Sequence, residues 1–143
     1  MRTKSMIALV VMLGLVAGVG CQQQRKPKSA SETKVKGLNR IHFDFDRSDI
    51  KSEYRKTMDD NASWLKSNRD VKVTVEGHCD ERGTEEYNMA LGHRRANSAK
   101  SYLTSMGVEG SRLRTVSYGE ERPLESCHNE SCWWKNRRAE FTR

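Results

Sequence analysis

Val71, Val73 and Val75 alternate with Lys72, Thr74 and Glu76, and a period of two describes a strand with one dry face and one wet face. Gly77 ends that run. Six polar or small residues follow, His78, Cys79, Asp80, Glu81, Arg82 and Gly83, a loop composition that sends side chains towards something outside. Thr84 can cap a helix, Glu85 and Glu86 suit its first turn, and Tyr87 to Leu91 continue it. Gly92 reads as a break and as the N-cap of a better patterned helix from His93 to Met106. In that helix Ala96, Ala99, Leu103 and Met106 share a face, and Gly107 is the stop signal. Strand, polar loop and helix in immediate succession constrain the fold more than any other stretch.

On this reading Arg95 lies in a helical first turn, where unpaired N–H groups, the positive end of the dipole and a guanidinium converge on a site suited to a carboxylate. Asp80, in the loop, offers the opposite charge for an ammonium. The two together fit a zwitterionic amino-acid head group if the loop folds back. Plainer roles stand beside these. Asp80 can satisfy loop N–H groups, and Arg95 can pair with Glu81, Glu85 or, in an empty site, Asp80 itself.

The rest of the chain supplies the frame. Arg2 and Lys4 before an apolar run from Met6 to Val19 read as a signal peptide over residues 1–20. Val19 and Gly20 precede Cys21 as in a lipobox, with Gly18 where that pattern usually has Leu, so Cys21 is the expected lipidation site. Residues 22–38 lack apolar periodicity and are rich in Gln, Lys and Ser; with Cys21 they read as a solvated tether, residues 21–38, spanning roughly 20 to 25 Å. Arg25, Lys26, Lys28, Lys34 and Lys36 lie there against Glu32, whereas residues 39–143 carry nineteen basic and eighteen acidic side chains. Of the net charge of +7, all but +1 therefore belongs to leader and tether, and the domain lacks the basic face that nucleic acid requires.

Within residues 39–143, Ile41, Phe43 and Phe45 alternate with His42, Asp44 and Asp46 as a first strand. Ser48 or Asp49 can cap a helix from Ile50 to Ser67, with Asn61 expected near the edge of its buried face. Leu113 to Tyr118 is a strand, Ser131 to Asn136 a short helix, and Arg137 to Thr142 a last strand. The expectation is an α/β (α+β) two-layer sandwich in β-α-β-α-β order, its helices packed on one face of a mixed four-stranded sheet.

GHCDERGTEEYNMALGHRRA (77–96), with IHFDFDRSDI (41–50), VSYGEERP (116–123) and KNRRA (135–139), resembles the peptidoglycan-associated lipoproteins of the OmpA-like C-terminal domain family in both order and spacing. The resemblance covers roughly residues 40 to 140. It implies an outer-membrane lipoprotein, lipid-anchored on the periplasmic face, that binds peptidoglycan through the diaminopimelate of the stem peptide. It further implies no catalysis and no cofactor, and membership of the Tol–Pal system with TolB as a partner on an overlapping surface. By position, Asp80 would hold the ammonium and Arg95 the carboxylate, while Asp46, Arg82 and Leu91 line the same pocket. An anchoring module of another envelope machine, such as a motility stator, is the alternative; a stator subunit keeps a membrane span and has no lipobox cysteine.

His78, Cys79, Asp80 and His93 are metal-ligand types, but neither HExxH nor a paired CxxC is present to complete a hydrolase centre. Cys79 reads as a buried thiol rather than a nucleophile. Cys127 and Cys132 are expected to form a disulfide in an oxidising compartment, with metal binding alongside His128 as the alternative. Of Trp133 and Trp134, being adjacent, one is expected to face the core. Arg137 and Arg138 are expected to make structural ion pairs. Substituting Asp80 or Arg95 by alanine is expected to abolish wall binding without unfolding the domain.

Overall fold

A computed structural model describes residues 33–143. The expected signal peptide, Cys21 and residues 22–32 of the expected tether lie outside the described residues. Four strands, β1 (Ile41–His42), β2 (Val73–His78), β3 (Leu113–Gly119) and β4 (Arg138–Thr142), form one sheet in the order β1-β4-β2-β3. The pair β2/β3 is parallel, as its connection through a long helix requires, and the other pairs are antiparallel. Helices α1 (Arg55–Ser67), α2 (Glu85–Ser105) and α3 (Glu130–Asn136) complete the α+β sandwich, mixed in its sheet as the sequence indicated.

The core lies between the sheet and α1 and α2. Val73 and Val75 of β2, Leu113 of β3 and Phe141 of β4 meet Met58, Ala62 and Leu65 of α1 and Ala96, Ala99 and Leu103 of α2. Gly107, at φ 87°, follows the end of α2 as expected, in a conformation that costs glycine little.

The break expected at Gly92 does not occur: α2 runs uninterrupted through 21 residues, capped by Thr84, whose Oγ1 accepts from the Tyr87 N–H. Gly92 is there for proximity. A Cβ on Gly77 would lie 1.8 Å from the Gly92 carbonyl oxygen, and one on Gly92 would lie 2.2 Å from Ser117 Oγ. Two glycines thus let α2 rest directly on β2 and β3, and this contact offsets the roughly 1 kcal/mol that glycine costs inside a helix. Arg95 is consequently a mid-helix residue rather than a first-turn one.

Other boundaries also move. The first strand stops at His42, leaving Phe45 exposed. Neither Ser48 nor Asp49 caps α1. Asp49 instead accepts from Arg47 Nε at 2.7 Å, and a 3₁₀ turn, Ser52–Tyr54, leads into the helix. Asn61 is fully buried rather than at an edge, its amide accepting from Asn39 N–H and donating to Asn39 C=O as a neighbouring strand would. The tether ends earlier than expected. Thr33 exchanges two 3.1 Å hydrogen bonds with Arg143, Val35 donates to the Phe141 carbonyl, and Val35 and Leu38 are buried in the core. Residues 33–38 therefore belong to the domain because two apolar side chains find a site in it.

Candidate functional site

Strand β2 continues one residue past Gly77, so His78, Cys79 and Asp80 are buried rather than displayed. Backbone alternation separates them. The His78 ring stacks on Tyr118, while the Cys79 thiol donates to the Asn88 carbonyl at 3.3 Å. Asn88 then organises the turn: its side-chain amide donates to the carbonyls of Asp80 and Arg82. Asn88, Leu91 and Arg95, spaced three and four apart, occupy one face of α2 above this turn.

A cavity of about 170 Å³ lies between the turn and the helix, and Asp46, Asp80, Arg82, Leu91 and Arg95 all line it. The five positions indicated by resemblance are therefore brought together. Phe45, Tyr87, Asn88, Cys79 and Arg137 complete most of the remaining wall. Asp46 stands at φ 56°, a left-handed conformation that aspartate tolerates, and accepts a hydrogen bond from the Tyr87 hydroxyl.

Asp80 and Arg95 do not pair with each other. Asp80 Oδ1 accepts from the backbone N–H and Nε of Arg82, both at 3.1 Å. Its Oδ2 accepts from Arg82 Nη2 at 2.7 Å and Arg137 Nη1 at 3.1 Å. Burial alone would raise the carboxyl pKa, but the bonds from Arg82 and Arg137 outweigh it and hold Asp80 below the usual carboxylate range. Arg95, 1% exposed, donates instead to three backbone carbonyls: Nε to Arg47 at 2.8 Å, Nη1 to His78 at 2.8 Å, and Nη2 to Asp44 at 3.1 Å. Burial draws its pKa down from the ordinary guanidinium value. A guanidinium has five N–H groups, so Nη1 and Nη2 can each still donate to a ligand.

The rim brings together aromatic and charged residues that the sequence analysis placed elsewhere. The Arg82 guanidinium lies between the rings of Phe45 and Trp133, 3.9 and 4.1 Å from their centroids. Trp133 thus serves the rim rather than the core, and its indole N–H donates to Glu81. Glu130 accepts from Arg137, as the expected structural pairing of that arginine implies, yet Arg137 also lines the cavity. Cys127 and Cys132 are bridged, closing the turn that carries Glu130.

This geometry can be placed among known proteins. The OmpA family model matches residues 42–137. A peptidoglycan-associated lipoprotein of Mesorhizobium japonicum is 42% identical over 157 residues, covering 99% of this chain and 92% of the relative. The chain belongs to the OmpA family, with the peptidoglycan-associated lipoproteins. Among solved structures, the peptidoglycan-associated lipoprotein from Burkholderia pseudomallei superposes with a TM-score of 0.70 at 37% identity, covering 72% of this chain and 87% of that one. The C-terminal domain of Helicobacter pylori MotB reaches a TM-score of 0.65 at 21% identity, covering 73% of this chain and 83% of that one, and shares the fold.

The metal-ligand types do not gather as His78, Cys79, Asp80 and His93 in this OmpA-family domain. His93 is exposed on α2, and burial lifts the Cys79 thiol to about 11, so it stays protonated. Among the described residues, Glu76, His78 and Glu140 bring ligand-type atoms within 4.8 Å of one another. Their position is the sheet face away from α2, where Arg40 and Arg138 already approach Glu140.

Proposed function

We propose that the chain is an outer-membrane lipoprotein that binds peptidoglycan non-covalently and, without catalysis, tethers the outer membrane to the wall. The supporting observation is one cavity that carries a buried carboxylate, arginine N–H donors and the apolar wall of Leu91. This is the complement of an amino-acid centre on an aliphatic stem, as in the diaminopimelate of the stem peptide. Asp80 receives the ammonium, Arg95 the carboxylate through Nη1 and Nη2, and Asp46 and Arg82 border the same ligand. The named relatives are peptidoglycan-associated lipoproteins, which favours this reading over a stator module, for which the likeness is one of fold.

The direction of the chain suits a tether. Thr33, where the segment from Cys21 enters, bonds to Arg143 beside the start of β2, whereas Asp80 and Arg137 lie beyond its other end. Lipid anchor and ligand would therefore pull on opposite ends of the sheet. The same family placement supports a role in the Tol–Pal system, in envelope integrity and cell division, with TolB as partner.

Titration calorimetry with stem peptides tests the site. A diaminopimelate peptide is expected to bind about 10- to 100-fold more tightly than its lysine counterpart, the equivalent of one hydrogen bond between charged groups. Equal affinities would remove the assignment of Arg95 to the second carboxylate. Retention of Asp80→Ala on isolated sacculi would remove the site.

A further inference from the structure

We propose that Glu130, on the disulfide-closed turn, is the exchange partner that takes Arg137 and Arg82 from Asp80 when a ligand ammonium arrives. The inference rests on the pocket reading above and adds a positioning residue to it. An ionised carboxylate offers about four lone-pair sites, and Asp80 already accepts four hydrogen bonds, three from Arg82 and one from Arg137. An ammonium can bind there only if a guanidinium N–H leaves. A buried guanidinium that leaves without another acceptor makes binding costly.

Glu130 removes that obstacle by its position. Arg137 Nη1 is already shared between Asp80 Oδ2 at 3.1 Å and Glu130 Oε2 at 3.3 Å, and Arg137 Nη2 is bonded to Glu130 Oε1. Meanwhile Arg137 Nε stays on the Phe43 carbonyl at 3.0 Å, so a small rotation about a fixed point moves Nη1 wholly to Glu130. Arg82 Nη2 lies 3.7 Å from Glu130 Oε2, outside hydrogen-bond range but within a short slide between the flat faces of Phe45 and Trp133. The turn that presents Glu130 is fixed at both ends by the Cys127–Cys132 bridge, and Asn129 Oδ1 caps α3 by accepting from the Ser131 N–H. The carboxylate is therefore held where both arginines can reach it, while its side chain remains 62% exposed and makes no demand on the core.

The test compares the full-length protein in detergent with its Glu130→Gln and Asp80→Ala variants, using a diaminopimelate stem peptide in calorimetry and carboxyl-carbon NMR of Asp80 in the free protein. Glu130→Gln should weaken binding about tenfold, the scale of one charged hydrogen bond, and thermal denaturation should show it folded. It should also lower the Asp80 pKa further, because both arginines then answer to Asp80 alone and a neighbouring negative charge is gone; Glu130→Asp, which keeps that charge, should recover part of the affinity, which a residue that merely supports the turn would not require. Joint Cys127→Ser and Cys132→Ser substitution should weaken binding in the same direction by a smaller factor. Unchanged or tighter binding by Glu130→Gln overturns the exchange, as does weaker binding with an unmoved Asp80 titration. Failure of the unaltered protein to bind, or wild-type binding by Asp80→Ala, overturns the pocket reading instead.

Discussion

The two charged walls of the pocket are held in opposite ways. Arg95 is bonded to three backbone carbonyls in two segments distant from it in sequence, those of Asp44 and Arg47 in one and that of His78 in the other. Asp80 is bonded chiefly to side chains, those of Arg82 and Arg137. Carbonyls fixed by the path of the chain cannot follow a ligand, whereas guanidinium groups turn about rotatable bonds. The arginine wall is thus part of the scaffold, and the carboxylate wall is the part able to rearrange. Both carry charge into one cavity, but their removal has different consequences.

The largest difference should appear on replacing Arg95. Arg95→Ala deserts three carbonyls and leaves a void under Phe43, whose ring the guanidinium faces at 5.2 Å, and should cost about 3 kcal/mol or more. Urea unfolding measures it. This revises the expectation drawn from the sequence, that the variant would lose binding while remaining folded. Arg95→Lys should also be destabilised, since one ammonium cannot span three divergent acceptors. Should Arg95→Ala unfold at the wild-type midpoint, the arginine is not a scaffold and the comparison fails.

The relative placement of the two walls depends on how closely α2 approaches β2. Gly77→Ala should destabilise by about 1 to 3 kcal/mol, as overpacking does, because its Cβ would meet the rigid Gly92 carbonyl. Lifting the helix also moves Leu91 and Arg95 away from Asp80, so stem-peptide affinity should fall as well. Gly92→Ala should cost less, since the first atom its Cβ meets, Ser117 Oγ, can rotate, and its backbone clash, 2.8 Å from the Gly77 carbonyl oxygen, is milder than the 1.8 Å one at Gly77. Equal stabilities of all three proteins would show that the contact sets nothing.

Replacing the carboxylate should disturb the fold less. Asp80→Asn leaves Arg137 bonded to Glu130 and to the Phe43 carbonyl, so the expected loss is below about 2 kcal/mol, while binding falls about 10- to 100-fold. Unfolding curves and calorimetry on the same preparation separate the two effects. A loss of stability matching that of Arg95→Ala would make both walls scaffold.

The same contrast explains what could be read in advance. Alternating valines in β2 and the Ala96, Ala99, Leu103 face of α2 are periodic signals, and they gave the sandwich and its core. Gly92 misled because a glycine that breaks a helix and one that admits a neighbouring backbone look identical in one dimension; what separates them, Gly77 and Ser117, lies on other elements. That misplacement made Arg95 a helix-start residue and hid the common face of Asn88, Leu91 and Arg95. The partners of Asp80 were illegible for a similar reason. Arg137 is 57 positions away, and which residue a buried charge meets is decided by strand order rather than local pattern. Val35 and Leu38 were missed because two isolated apolar residues in a polar segment carry no period.

The smallest expected effect tests the electrostatic side of the comparison alone. Asp80 has a lower carboxyl pKa folded than unfolded, so between the two values the unfolded chain binds more protons. Its contribution to stability is therefore complete above the unfolded value, about 3.9, and drains away as the pH falls through the lower folded one. One proton limits that loss to about 1.4 kcal/mol per pH unit. Unfolding free energies measured from pH 5 downwards should fall more steeply for the unaltered protein than for Asp80→Asn, and the curves should converge in acid. Arg95 bonds no carboxylate, so Arg95→Lys should retain the Asp80 component of the slope although its whole curve lies lower. If Arg95→Lys flattens the profile as Asp80→Asn does, the two charges are coupled through the cavity and the walls act as one unit.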